Sequence, residues 1–262
     1  MKHIRMHIFF LLLFIVPAAS FCPKENDNIK KEKWVSLFNG KNLDNWTPKI
    51  AGYKAGDNFG NTFRVENGIL STRYDGYDNF RNRFGALYYN KKFSNFRLRV
   101  EYRFTGDTVA GAPSWGFRDG GIQYHCQSPN AVDLDQSFPV CLEYNLLGGN
   151  GKGERPSGEI CANGIYVEID GKRNTSYCTA PTVKRTMQGD KWVTAEIDVR
   201  NGKITHFING EKVLEFENPR YDSSHAIAKK FITGNDAVKD GYISLQSNSH
   251  PMDFRKIEIM EY

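Results

Sequence analysis

The amino-acid sequence predicts an all-β fold of two packed antiparallel sheets. Residues 93–104 alternate between apolar and charged side chains, with Phe96 and Leu98 on one face and Arg97 and Arg99 on the other. An alternation of period two is typical of a strand with one buried face. Residues 193–199 repeat the pattern, and only residues 223–231 could form a short helix. Many half-buried strands bury their apolar faces most simply in a two-sheet sandwich.

The N-terminal residues form a separate region. Basic residues precede an apolar run at residues 8–16, and small residues follow at 18–20. This order is typical of a secretory signal peptide, which we assign to residues 1–21, because a membrane-spanning helix needs roughly 20 apolar residues. Cys22 could be lipidated and anchor the chain to a membrane. The polar residues 22–33 would then serve as a flexible linker.

Residues 34–262 are predicted to form one domain, since no break in composition divides them. The whole chain has 262 residues and a formal net charge of +5, with positive and negative residues interleaved. A nucleic-acid-binding protein would instead concentrate basic residues on one face, so no nucleic-acid partner is expected.

Four cysteines follow Cys22, and none has the close spacing of a zinc site. They are Cys126, Cys141, Cys161 and Cys178. In an oxidising compartment this even number permits one or two disulfides, with three connectivities for two bridges. Simple buried thiols are the alternative.

Two turn signals connect the strands after residue 193. Asn201 and Gly202 form the first dipeptide, and Asn209 and Gly210 form the second. Both favour the positive φ angles of type I′ hairpin turns. The sequence therefore predicts an antiparallel meander here.

The same alternation directs polar side chains outward from three predicted strands. If the three strands are neighbours, their outer faces combine into one polar surface. The side chains on that surface are Arg97, Arg99, Glu101, Arg103, Gln123, His125, Glu143 and Asn145.

Two segments at the ends of the domain identify a family. Residues 34–46 read WVSLFNGKNLDNW, and residues 241–259 read GYISLQSNSHPMDFRKIEI. Together they resemble the opening and closing motifs of the 3-keto-disaccharide hydrolase family. The resemblance implies a concanavalin-like, lectin-like jelly roll that acts on 3-keto-glucosides, and a bacterial source. The exported protein would then lie in the periplasm or be an outer-membrane lipoprotein.

The family pattern also suggests where a site would lie. Gly121 and Ile122 follow Arg118 and Asp119 as in the family, and Glu143 matches a family glutamate, whereas Asn145 stands where the family usually has glutamine. We expect Glu143 and His125 to be catalytic, since a carboxylate or a neutral imidazole can accept a proton. The expected substrate-binding residues are Arg118, Asp119, Gln123, Asn145, Glu101, Arg103, Trp115 and His250.

Three functions remain open from the sequence. In the first, His125 or Glu143 removes the acidic C2 proton of a 3-keto-glucoside, and Arg118 or another arginine stabilises the enolate, which expels the group at C1. In the second, Glu143 and Glu101 form the carboxylate pair of an ordinary glycosidase. In the third, the domain is a lectin-like module that binds carbohydrate without turnover.

No cofactor is identified by sequence motif. Phosphate-binding loops, dinucleotide fingerprints and zinc-protease motifs are absent from the chain. No metal ligands are assigned, although His125 and Glu143 on adjacent strands could contribute to a divalent metal site if a third ligand lay nearby.

Overall fold

The seventeen strands of the computed structural model account for most of its regular structure. The structure describes residues 33–262, so the predicted signal peptide, Cys22 and nearly all of the linker lie outside the described residues. The strands are β1 (Val35–Ser36), β2 (Trp46–Ile50), β3 (Phe63–Glu66), β4 (Ile69–Thr72), β5 (Gly85–Phe93), β6 (Phe96–Phe104), β7 (Asp119–Cys126), β8 (Cys141–Leu147), β9 (Glu159–Asn163), β10 (Ile165–Ile169), β11 (Lys172–Asn174), β12 (Cys178–Thr179), β13 (Val193–Arg200), β14 (Lys203–Ile208), β15 (Glu211–Tyr221), β16 (Gly241–Ser247) and β17 (Met252–Glu261).

Two antiparallel sheets contain all of these strands. The ten-stranded sheet has the order β11-β10-β15-β14-β13-β6-β17-β4-β3, with β1 paired to β17. The seven-stranded sheet has the order β12-β9-β8-β7-β16-β5-β2. The paired strands in both sheets are antiparallel, so the predicted all-β fold of two antiparallel sheets is confirmed.

Helices are short and few among the described residues. Three 3₁₀ turns occur, at Phe59–Asn61, Pro129–Ala131 and Ala228–Phe231. The last is all that forms of the short helix considered for residues 223–231. None of the described helices has the length and apolarity that a membrane crossing requires.

The core lies between the sheets and is built from alternate residues of each strand. In β6 the buried positions are the predicted apolar ones, including Phe96, Leu98 and Val100. In the opposite sheet, Ile122 and Leu142 lie in the same buried cluster. Apolar burial of this kind stabilises the fold by about 25 cal/mol for each Å² removed from water.

The predicted hairpins form as expected. Asn201 and Gly202 join β13 to β14 with φ angles of 50° and 81°. Asn209 and Gly210 join β14 to β15 with φ angles of 50° and 83°. Asparagine and glycine tolerate this left-handed region better than other residues, which explains why these dipeptides occupy the turns.

The predicted adjacency of three polar strand faces is wrong for β6. This strand pairs with β13 and β17 in the ten-stranded sheet, whereas β7 and β8 pair with each other in the seven-stranded sheet. The outward residues of β6 therefore lie on the opposite side of the sandwich from those of β7 and β8. Alternation within a strand determines which face is polar, but not which strands become neighbours.

One disulfide connects Cys161 in β9 to Cys178 in β12. The other two cysteines of the domain, Cys126 and Cys141, are buried free thiols. Of the pairings open from the sequence, the structure therefore contains one bridge, and it connects the two strands at one edge of the seven-stranded sheet.

Candidate active site on the seven-stranded sheet

A strip of buried polar side chains crosses the outer face of the seven-stranded sheet. Register pairs Gln123 with Glu143 and Gly121 with Asn145, across β7 and β8. Because Ile122, Leu142 and Tyr144 point into the core, these alternate residues must face outward. All members of the strip are at most 9 % exposed; they are Asp119, Gln123, Glu143, Asn145, Gln246 and Asn248.

Glu143 lies at the centre of this strip and is held by two amides. Gln123 Nε2 donates to Glu143 Oε2 at 2.8 Å, and Gln246 Nε2 donates to the same oxygen at 2.9 Å. Burial raises the pKa of Glu143 to about 8, and the nearby Asp119 adds to this rise, whereas the two amide hydrogen bonds oppose it. The carboxyl group is therefore mostly protonated at neutral pH.

Gly121 provides the space that the Glu143 side chain occupies. A Cβ atom added to Gly121 would lie 2.6 Å from Cδ of Glu143, which is well inside contact distance. The glycine is thus required by the close approach of this carboxyl group to the backbone of β7. The glycine-isoleucine pair singled out in the sequence has a direct structural role.

Asp119 is the second buried carboxyl group of the strip. Its Oδ1 accepts a hydrogen bond from Asn248 Nδ2 at 2.9 Å, and Arg155 Nη2 lies 3.6 Å from its Oδ2. Burial raises the pKa of Asp119 to about 6, against the opposing effects of Asn248 and Arg155. At neutral pH Asp119 is mostly ionised while Glu143 is mostly protonated. Two such groups can divide the roles of base and acid.

Arg155 is a site residue that the sequence reasoning did not identify. Its Nη1 donates to the carbonyl oxygens of Arg118 and Gly148 at 2.9 and 2.7 Å, and its Nη2 donates to that of Trp115 at 3.1 Å. The guanidinium therefore binds two loops together beside Asp119. Arg155 lies between strands, where alternation gives no signal of its direction.

Two exposed aromatic residues lie near the carboxyl groups. Trp115 is 47 % exposed and stacks on Phe84, with ring centroids 5.6 Å apart and planes 7° from parallel. Tyr177 is 54 % exposed and precedes Cys178 of the disulfide. Partial burial raises the pKa of the Tyr177 phenol, and the charge of Glu143 contributes to this rise. Exposed rings of this kind can stack on the apolar faces of sugars.

His125 does not share a face with Glu143, contrary to the prediction. Gln123 pairs with Ser244 but Cys126 pairs with Tyr242, so β7 has one extra residue at this point. His125 has a φ of 49° in this β-bulge, and its ring packs 6.1 Å from that of Phe96 in the opposite sheet. The bulge turns His125 into the sandwich, because it breaks the alternation on which the prediction depended.

Glu101 and Arg103 also lie away from the strip. Glu101 is paired with Arg255 and Lys256 at 2.6 and 2.7 Å, and Arg103 is paired with Asp253 at 2.8 Å, on the ten-stranded sheet. The proposed carboxylate pair of Glu143 and Glu101 is therefore not formed, since the two side chains belong to different sheets.

Arg118 and His250 are held by contacts of their own at one end of the sandwich. Arg118 donates to the carbonyl oxygen of Gly189 at 2.8 Å and to Asp190 at 2.7 Å. His250 Nδ1 is 3.1 Å from Thr108 Oγ1, its ring packs against Phe117, and burial lowers its pKa to about 4. Arg118 is thus hydrogen-bonded to a neighbouring loop, and the guanidinium that lies beside Asp119 is that of Arg155.

His125 and Glu143 do not form the metal pair that the sequence left open, because the two side chains lie on opposite faces of the sheet. The one group of three potential ligands among the described residues is Glu159, Cys161 and Cys178. Its cysteines are bonded to each other and have no thiolate to offer. Around the two carboxyl groups, buried amide oxygens of Asn145, Gln246 and Asn248 have no partner among the described residues. Such oxygens suit either hydroxyl donors or a hard cation.

Known structures share this fold. A putative glycosyl hydrolase from Parabacteroides distasonis ATCC 8503 is 17 % identical, with a TM-score of 0.53, and the match covers 87 % of this chain and 94 % of that one. A second structure with the same description and organism is 19 % identical, with a TM-score of 0.50, covering 88 % and 100 %. At these identities the likeness concerns the fold alone. No curated protein matches the chain.

The family model for the 3-keto-alpha-glucoside-1,2-lyase-like domain matches residues 33–260, which is nearly the whole described region. This match supports a carbohydrate-active function, and it agrees with the resemblance of the two terminal motifs. The chain therefore belongs to the family of 3-keto-alpha-glucoside-1,2-lyase-like domains.

Proposed function

We propose that this protein is an exported enzyme that cleaves 3-keto-glucosides by elimination across C1 and C2, with hydration completing a net hydrolysis. One observation carries the proposal: two buried carboxyl groups, Asp119 and Glu143, lie on the same outward face of β7 and β8, where burial raises their pKa values to about 6 and about 8. Carboxyl groups whose environments separate their pKa values are suited to act as base and acid at neutral pH.

The proposed reaction begins at the C2 proton. The ketone at C3 acidifies this proton, and ionised Asp119 removes it to give an enolate. The enolate re-forms the ketone as the C1–O bond breaks and a C1=C2 double bond forms, while protonated Glu143 gives its proton to the departing oxygen. Water can then add across the double bond, with its hydroxyl on C1 and its proton on C2. Each step balances without an oxidant or a reductant.

Residues in and beside the strip would stabilise and orient the substrate. Arg155, 3.6 Å from Asp119, places positive charge where the enolate develops. This replaces the role expected of Arg118. Trp115 and Tyr177 offer exposed rings for stacking on the sugar or its aglycone. Asn145 would accept hydrogen bonds from sugar hydroxyls through its free Oδ1.

The test is turnover by the purified protein of a 3-keto-glucoside and of the matching unmodified glucoside. We expect aglycone release from the keto compound alone, loss of release in Asp119→Asn, and full activity in Glu101→Gln, which changes a carboxylate on the other sheet. Assays with a chelator and with added divalent metal decide the open question of a metal. Absence of turnover of the keto compound under every metal condition would refute the proposal.

An ordinary glycosidase remains a second candidate, because Asp119 and Glu143 lie on the same face and could flank a glycosidic bond. Cleavage of the unmodified glucoside at least as fast as the keto compound would favour it. Binding of carbohydrate that survives both Asp119→Asn and Glu143→Gln, with no turnover of either compound, would instead favour a lectin-like module.

Export is part of the proposal and rests on the sequence of residues 1–21. The Cys161–Cys178 disulfide supports it, since such bridges persist mainly in oxidising compartments. Lipidation of Cys22 predicts that the protein fractionates with membranes and that Cys22→Ser releases it. Recovery of the unchanged protein from the cytosol would contradict export.

A further inference from the structure

His125 takes no part in the proposed reaction, and its environment is unusual for a histidine. The residue is 3 % exposed, and its buried Nδ1 makes no hydrogen bond with a described residue. Buried polar groups without a partner are rare in folded proteins. Its left-handed backbone, with φ of 49°, adds local strain of the kind found at ligand-binding positions.

His125 lines a cavity of about 410 Å³, at the opposite end of β7 from Arg118. Both sheets contribute to the walls: the β5–β6 turn provides Asn95, the β13–β14 turn provides Asn201, and β15 provides Arg220. Val199 and Val238 add apolar surface. Because His125 points into the sandwich while Glu143 faces outward, β7 separates this cavity from the candidate active site.

The charges around the cavity favour an anion. Arg220 and Lys239 line it, and none of the described carboxylates does. Arg220 is paired with Asp236 at 2.6 Å, but Lys239 has no ion-pair partner among the described residues. Burial lowers the pKa of His125, and the charge of Asp240 opposes this effect. Asp240 is itself paired with Lys92 at 3.1 Å. The lining thus offers one uncompensated ammonium group, one buried imidazole and several side-chain amides.

We propose that this cavity binds a small organic anion, whose carboxylate is held by the N–H of His125 and by Lys239 while its apolar part rests against Val199 and Val238. The imidazole is neutral at pH 7, so it presents one N–H donor and one acceptor. Binding here is independent of the reaction proposed at Glu143.

The test uses the protein labelled with ¹⁵N in its histidines and titrated at pH 7 with benzoate and with its neutral isostere benzamide. We expect a saturable shift of the His125 ring resonances with benzoate and much weaker binding of benzamide. His206 provides the internal control. It is equally buried, but its nitrogens contact Gly158 O at 3.1 Å and Tyr124 Oη at 2.9 Å, so its resonances should not move.

A surface variant completes the test without disturbing the core. Lys239→Gln should weaken benzoate binding by up to about fivefold, the usual range for a partly exposed charge pair. Lys229→Gln, which changes an exposed lysine outside the cavity, should leave it unchanged. Equal binding of benzoate and benzamide, an unchanged affinity in Lys239→Gln, or no saturable shift of His125 would overturn the proposal.

Discussion

Replacing Glu143 with glutamine should stabilise the protein at alkaline pH. Burial raises the pKa of this carboxyl from its ordinary 4.5 to about 8 in the folded state. Between these two values the folded state retains a proton that the unfolded state has lost, so the stability of the wild type falls as the pH rises from 4.5 through 8. The glutamine variant remains neutral throughout and does not undergo this loss.

The magnitude follows from the same two pKa values. The difference between 8 and 4.5 corresponds, at about 1.4 kcal/mol per pH unit, to a maximum of about 5 kcal/mol at pH 9. Relaxation and water penetration reduce the cost of ionising a buried group, so we expect about 2 to 4 kcal/mol. For a domain of this size, that corresponds to a melting temperature higher by roughly 5 to 15 °C.

Thermal unfolding of both proteins between pH 4 and pH 9 measures the effect. The two melting temperatures should nearly coincide at pH 4, diverge through neutral pH, and differ by a constant amount above pH 8. Glu101→Gln is the matched control. Burial raises the pKa of Glu101, but hydrogen bonds from Lys256 and Arg255 outweigh burial and hold this pKa below its ordinary value. The ionised carboxylate therefore stabilises the folded state, and Glu101→Gln should be less stable than the wild type throughout neutral and alkaline pH.

A melting-temperature difference between Glu143→Gln and the wild type that stays constant from pH 5 to pH 9 would refute the raised pKa of Glu143. It would mean that Glu143 ionises in the folded protein as it does in water, and the assignment of Glu143 as the acid would fail with it.

Four further predictions concern the site and the fold. Activity on a 3-keto-glucoside should be bell-shaped in pH, with limbs near 6 and 8 from Asp119 and Glu143, and a profile with no limb near 8 would contradict the acid role. Glu143→Gln should keep more activity on a nitrophenyl aglycone, which departs without protonation, than on an alkyl aglycone, whereas Asp119→Asn should lose both; equal losses in Glu143→Gln would count against the assignment. Gly121→Ala should abolish turnover and lower the melting temperature, because the added Cβ would lie 2.6 Å from Cδ of Glu143; unaltered kinetics would show that the side chain can move aside. Cys178→Ser should lower the free energy of unfolding by about 3 kcal/mol in a denaturant titration, since the bridge spans a sequence separation of 17. Cys126→Ser leaves the bridge intact, so the unfolding of this variant should still respond to reductant.

Local sequence patterns predicted the class of fold, the hairpins and the inward or outward direction of most strand residues. Phe96 to Phe104 and the two Asn-Gly turns behaved as their patterns predicted, because these features depend on backbone preferences within a few residues. The same alternation correctly directed Gln123, Glu143 and Asn145 outward from one sheet. The terminal motifs identified the family, although their residues mainly build strands.

Which polar faces lie together depends on the assembled fold. Glu101 and Arg103 lie on the other sheet, contrary to the prediction, because strand order depends on long-range pairing, which no local pattern encodes. His125 turned inward because one extra residue in β7 shifts the register by a single position, and such a shift exchanges the two faces. Arg155 came to lie beside Asp119 through the packing of loops. The raised pKa values of Asp119 and Glu143, on which the proposed chemistry depends, arise from burial, which is a property of the assembled sandwich and not of any segment of the chain.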